Sequence, residues 1–197
     1  MESITLSKAI SALKSTQANF FTIATLGAVL GHTNQNSLYK AIQRLEKSKI
    51  ITRLDSGKYY YGHDLPMDFS VANFLLQPSY ISLETALNLY GILSQFPFLI
   101  TSISTAKSKI IKNIDREFEY IHISKNLYWG FVKTNGYLIA TPEKAVIDNF
   151  YLASKGLRSA SADEWDWEIV NKKRLLEYAK MINYPPFTSY FSKHAQI

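Results

Sequence analysis

The sequence predicts an α+β protein, with an N-terminal winged helix-turn-helix followed by a mixed α+β domain of mostly antiparallel strands. Three observations carry this. Helical stripes of apolar residues recur three times in the first 50 residues; a Gly-containing hairpin pattern follows them; and beyond residue 98 strand-like runs lie between well-capped helices. The division is placed at 1–65 for the winged helix and 66–197 for the second domain.

In the first stripe, Leu6, Ala9, Ile10 and Leu13 fall at i, i+3, i+4, i+7, with Thr5 or Ser7 as cap. A short second helix is read at 22–30, through Ile23, Ala24, Leu26 and Leu30, and Gly31 stops it. The run His32-Thr33-Asn34-Gln35-Asn36 makes the turn. A third helix reaches about Ser48, burying Leu38, Ala41, Ile42 and Leu45. Two β-prone runs, 50–54 and 58–61, flank Asp55-Ser56-Gly57 as a hairpin, the wing.

Charge gives this segment its expected partner. The chain carries a formal net charge of +6 over 197 residues, and residues 1–65 hold +4 of it. Six of the eight basic residues there (Lys40, Arg44, Lys47, Lys49, Arg53 and Lys58) lie on or after the third helix. With the apolar stripe turned inward, Asn34, Gln35, Asn36, Ser37, Tyr39, Lys40, Gln43, Arg44 and Lys47 face outward or flank the helix. Asn, Gln, Arg and Lys pair with base edges in a major groove, while Ser, Tyr and Lys position a protein on phosphates. Arg53 at the base of the wing and Lys58 at its tip complete the expected DNA-binding set.

Residues 62–78 read as a linker, although Phe69, Val71, Phe74, Leu75 and Leu76 make it too apolar to be loose. A helix opens at Ser82 and ends at Gly91, with Leu83, Ala86, Leu87 and Tyr90 as its stripe. Strands are read at 98–104, at 116–123 and on both sides of Thr134-Asn135-Gly136, a strong hairpin signal. Thr141-Pro142-Glu143-Lys144 starts a helix to about Ser154 through a cap, a proline at the first position and an acid at the positive end of the dipole. The last helix spans about 171–182, burying Leu175, Leu176, Ala179 and Ile182, and Pro185-Pro186 closes it.

Pro78-Ser79-Tyr80-Ile81-Ser82-Leu83-Glu84-Thr85-Ala86-Leu87 with Tyr90-Gly91, and Ala140-Thr141-Pro142-Glu143-Lys144-Ala145 with Asp148 and Tyr151-Leu152, resemble hallmark segments of the AbiEi family of antitoxins. Between them, a strand near Ile100, Phe118-Tyr120-His122 and Tyr128-Trp129-Gly130-Phe131 come in the matching order. The resemblance covers most of the chain and is weakest after Gly156. It implies the antitoxin half of a type IV toxin–antitoxin system. The winged helix would bind inverted repeats in the promoter of its own operon and repress it. The second domain would counter a nucleotidyltransferase-like toxin. The alternative is a stand-alone winged-helix regulator whose second domain binds another protein or a ligand.

Several function classes fall away. Hydrophobic residues at 47% and aromatics at 14% supply a core, which excludes a disordered linker protein. With no cysteine, disulfide scaffolds, thiol catalysis and Cys-based zinc sites are excluded. Met1-Glu2-Ser3-Ile4 does not open a signal sequence, and no apolar run reaches the roughly 18 residues of a membrane span. The expectation is a soluble cytoplasmic protein with no membrane partner. His32, His63, His122 and His194 are dispersed, so no metal site is expected. No phosphate-binding glycine loop or nucleophile elbow occurs, so no cofactor and no catalytic residue is assigned. The cluster 163–168 reads as exposed acids around Trp165 and Trp167. A nuclease reading would rest on Asp163 and finds no partner residue. Trp165, Trp167, Glu143 and Lys144 are candidates for a partner surface.

Overall fold

The structure, a computed structural model, describes residues 5–32, 34–62, 68–113 and 116–196. The chain forms two compact units, Met1–Met67 and Asp68–Ile197. Residue 65 of the expected boundary, His63 and Thr33 lie outside the described residues.

The first unit is built from α1 (Leu6–Ser15), β1 (Phe20–Thr22), α2 (Ile23–Val29), α3 (Gln35–Lys47), β2 (Ile51–Asp55) and β3 (Lys58–Tyr61). This is the winged helix-turn-helix order, with one strand the sequence reading did not contain. That strand, β1, pairs antiparallel with β3 and gives the sheet order β1-β3-β2. Thr5 caps α1, accepting the Lys8 N–H. Of the expected α1 stripe, Ala9 and Leu13 are buried while Leu6 and Ile10 are exposed. Thr22 and Thr25 form a capping box that starts α2 directly from β1. Gly31, at φ +67°, ends it. The α3 stripe Leu38, Ala41, Ile42 and Leu45 is buried against Ala9, Leu13, Phe21, Leu26, Leu30, Ile51 and Tyr59.

In the second unit, α4 (Asp68–Leu75), β4 (Ser79–Ile81), α5 (Leu83–Leu89), β5 (Ile100–Ser104), β6 (Lys109–Asn113), β7 (Arg116–His122), β8 (Phe131–Thr134), β9 (Tyr137–Ala140), α6 (Pro142–Ser154), α7 (Lys172–Lys180) and α8 (Pro185–His194) follow in order. One six-stranded sheet runs β6-β7-β5-β4-β9-β8. Its β4–β5, β6–β7 and β8–β9 pairs are antiparallel; β4–β9 and β5–β7 are parallel. The strand alternation assigns the two faces. Tyr120 donates to the Ala72 carbonyl and Tyr137 packs edge-on to Phe69, so α4 covers one face. Tyr80 and Glu119 point the other way, toward α5, α6 and Arg158. β4 is therefore buried on both sides.

Four expectations differ from the structure. The apolar linker is helical as α4, because Val71, Ala72 and Leu75 share a buried face at helical spacing. The segment before Ser82 is strand β4. Pro185-Pro186 does not close α7 but opens α8, where the first-turn N–H groups have no intrahelical acceptor to lose. Leu176, expected in the core, is 42% exposed. Among the described residues no helix is long and apolar enough to cross a membrane.

Candidate nucleic-acid interface and buried polar centre

The outer face of α3 is polar from end to end. Gln35, Asn36, Tyr39, Lys40, Gln43, Arg44 and Lys47 are exposed, and Ser37 is half-buried. Asn36, Lys40, Gln43 and Lys47, at i, i+4, i+7 and i+11, form one stripe opposite the buried one. At 1.5 Å per residue the stripe spans roughly 16 Å, enough to run along a major groove about 12 Å wide. Arg44 lies on the flank toward α1, at a crevice with Leu6 and Ala9. No salt bridge neutralises Lys40, Lys47 or Arg53 among the described residues.

Two members of the expected set have other duties. Asn34 is the N-cap of α3, its Oδ1 accepting from Asn36 N at 2.9 Å and Ser37 N at 3.2 Å. That oxygen is already used, which leaves the amide nitrogen as the one side-chain group able to contact a nucleic acid. Lys58 is not at a projecting tip. It is half-buried, opens β3, and pairs in register with Thr22 of β1. Gly57, at φ +71°, completes the turn, and its carbonyl accepts the Ile23 N–H at 3.0 Å. The hairpin thus ends level with the start of α2, and the wing is short. Arg53 remains exposed on β2.

The four proposed partner-surface residues are all buried, which corrects that reading. Trp165 stacks on Phe150 at 5.3 Å, and Trp167 donates its indole N–H to Ala162 O at 2.9 Å. Both fill the core beneath α8. The intervening acids do face outward, as the alternation implied. Glu143, 3% exposed, accepts the Asn171 N–H at 3.2 Å and lies 3.8 Å from the Arg174 guanidinium. Its charge sits at the N-terminus of α7, where the helix dipole favours an anion.

Lys144, 1% exposed, forms a buried ion pair with Asp148 one turn along α6. Asp148 also accepts from Ser82 Oγ at 2.8 Å and from the Tyr80 hydroxyl at 2.9 Å. The Lys144 ammonium sits 4.7 Å from the centroid of the Trp129 ring and 5.7 Å from that of Tyr80. Ser82 occupies the cap position of α5 but makes no cap bond, because its hydroxyl is committed to Asp148. The next residue, Leu83, takes the left-handed φ of +59°, and Thr101 Oγ1 fixes the junction by donating to the Ser82 carbonyl at 2.7 Å. Burial, then the neighbouring Asp148, holds the Tyr80 phenol well above its ordinary range. Burial alone pushes the Tyr128 phenol up to about 12. Above this centre Arg158 bridges Glu84 at 2.6 Å and Glu119 at 3.1 Å.

The centre ties β4, α5 and α6 together through buried polar contacts. Surface depressions lie around Phe96 and Lys112 and along α7 and α8. Sequence reasoning missed Tyr80, Ser82 and Asp148 as a set; the available signal was Lys144 and Asp148 at i, i+4, an oppositely charged pair one turn apart on a helix rich in apolar residues. No group of three His, Asp or Glu side chains among the described residues is arranged to hold a metal ion.

No family model and no curated protein matches the chain. A solved structure, the Rv2827c protein from Mycobacterium tuberculosis, is similar in fold, with a TM-score of 0.52 at 14% identity. The match covers 96% of this chain and 71% of that one.

Proposed function

We propose that the chain is a DNA-binding antitoxin and autorepressor of the AbiEi kind, acting in the cytoplasm on duplex DNA of its own promoter. The observation that carries the reading is the exposed stripe Asn36, Lys40, Gln43 and Lys47 on the third helix of a winged helix-turn-helix. It combines side chains that read base edges with cations that meet phosphates. The second unit is assigned the role of countering a nucleotidyltransferase-like toxin, on the strength of the two hallmark segments. Both segments supply the buried centre, Tyr80 and Ser82 from one, Lys144 and Asp148 from the other, so they hold the unit together.

The test is binding of the full chain to labelled DNA from upstream of its own gene, followed by anisotropy across a salt series. Lys40→Ala/Lys47→Ala is expected to weaken binding and to flatten the log–log salt dependence by about 0.9 per lost phosphate contact. Unchanged affinity and slope in that variant would overturn the assignment of α3. For the second half, co-expression with the neighbouring gene should relieve its toxicity; no relief leaves a plain regulator.

A further inference from the structure

The C-terminal helical pair carries a surface that the DNA reading does not use. Leu176, Ala179, Ile182, Phe187 and Phe191, interrupted by Lys180, Thr188 and Ser192, line a mainly apolar groove of about 280 Å³ between α7 and α8. A second depression of about 440 Å³ meets it at Ile182, Thr188 and Ser192, so the channel continues along the outer side of α8. Leu176 is 42% exposed at its rim. Charge is arranged around this groove with one sign. Lys172, Lys173 and Lys180 lie at i, i+4 or i, i+3 spacing from Leu176, on the same exposed stripe of α7. None of the three forms an ion pair among the described residues, and Glu177 is the one acid on the helix. Among the described residues the acids of 163–168 form no ion pair with these lysines.

We infer that this groove docks an acidic amphipathic helix of a protein partner, its apolar side chains seated along Leu176, Phe187 and Phe191 and its carboxylates meeting Lys172, Lys173 and Lys180. The groove is open to solvent and lined from two neighbouring helices, which suits side chains at i, i+3 or i+4 and i+7 of a helix better than an enclosed small molecule. The three lysines select against a basic or neutral helix. The inference is independent of the DNA reading, and Leu176→Glu separates the two because it leaves α3 untouched.

The experiment pans a displayed library of amphipathic helices, about 16 residues or roughly 24 Å long with random polar faces, on the immobilised full chain. Enriched peptides are expected to carry an excess of Asp and Glu, and to shift backbone resonances of 172–192 in solution. Leu176→Glu, at an exposed position, is expected to weaken the best peptide about tenfold with promoter binding unchanged. Lys172→Ser/Lys173→Ser/Lys180→Ser is expected to weaken it similarly and to remove its salt dependence. Enrichment no better than on the Leu176→Glu chain, or enrichment without acidic excess, would overturn the proposal. So would the same resonances responding to a duplex of about two helical turns or to phosphatidylserine vesicles while no peptide binds. Concentration-dependent dimerisation abolished by Leu176→Glu would also overturn it, by making a second copy the occupant.

Discussion

Replacing Asp148 with alanine tests the central physical claim about the second unit. The carboxylate is 2% exposed and satisfies three donors: the Lys144 ammonium, Ser82 Oγ–H and the Tyr80 hydroxyl. Removing it leaves a lysine, itself 1% exposed, charged and without a counterion. Breaking one half of a buried ion pair costs about 3–5 kcal/mol. Each hydroxyl left without an acceptor adds about 1–3 kcal/mol, although the three share one network and do not sum. A loss of about 5 kcal/mol is expected. The unit spans 130 residues, and at 0.05–0.15 kcal/mol per residue its whole stability is roughly 7–20 kcal/mol. The assay is urea unfolding followed by tryptophan fluorescence. Trp129, Trp165 and Trp167 all lie in this unit, so the signal reports it alone. Lys144→Met/Asp148→Leu should recover more than half of the loss, because no charge is then stranded. A cost below about 1 kcal/mol for Asp148→Ala, or a double variant less stable than the single one, would refute the reasoning.

Asn34→Ala should destabilise the first unit by about 1 kcal/mol, read from native-state amide exchange of residues 35–47, because two N–H groups of α3 lose their acceptor. Gly130→Ala should cost the second unit about 2–4 kcal/mol in the urea assay. Gly130 sits at φ +75°, and an added Cβ would stand 2.9 Å from the Lys144 stem, which the ion pair holds in place. On the alkaline side, the raised Tyr80 and Tyr128 phenols stabilise the fold fully below their unfolded value of about 10. That contribution falls as pH climbs from about 10 toward 12, the folded value for Tyr128. Tyr59, Tyr90 and Tyr190 are also raised, so absorbance titration at the phenolate band should show a late group of tyrosines, with Tyr80 and Tyr128 among them, ionising together with unfolding.

The first unit was the more readable because its signals are local. The stripe Leu38, Ala41, Ile42, Leu45 and the caps at Thr5 and Gly31 lie within the elements they define. β1 escaped because three residues between two helices make no pattern of their own; their pairing with β3 makes them a strand. β4 and β6 were lost for a related reason. Ser79-Tyr80-Ile81 is buried on both faces, so it shows no alternation, and among the described residues Lys109–Asn113 is an edge strand that ladders with β7. At the site, helix-starting rules explained Thr141 and Pro142 correctly. They accounted for Glu143 only as an acid at the positive end of the helix dipole and were silent on Lys144; the partners of the two, Asn171 for one and Asp148 with Ser82 and Tyr80 for the other, include residues far away in the chain. Charge without a visible partner was therefore read as surface. The short wing was equally invisible, since the Thr22–Lys58 register and the bond from Ile23 to Gly57 that fix where the hairpin ends are pairings across the fold.

The position of β4 in its sheet sets an order on synthesis. The first unit is complete once β3 leaves the ribosome, because every ladder in its sheet lies within residues 20–61. β4 follows within twenty residues, yet its parallel neighbour is β9, with Ile81 opposite Ile139. At 5–20 residues per second the strand waits roughly 3–12 s for that partner. The wait lasts longer still for Asp148, which the Tyr80 and Ser82 hydroxyls need. During that interval Tyr80 and Ile81 belong to an unfinished sheet with an open edge. The nascent chain is then an already folded N-terminal unit trailing a segment open to aggregation or chaperone capture, and the second unit cannot complete its fold before α6 has been made.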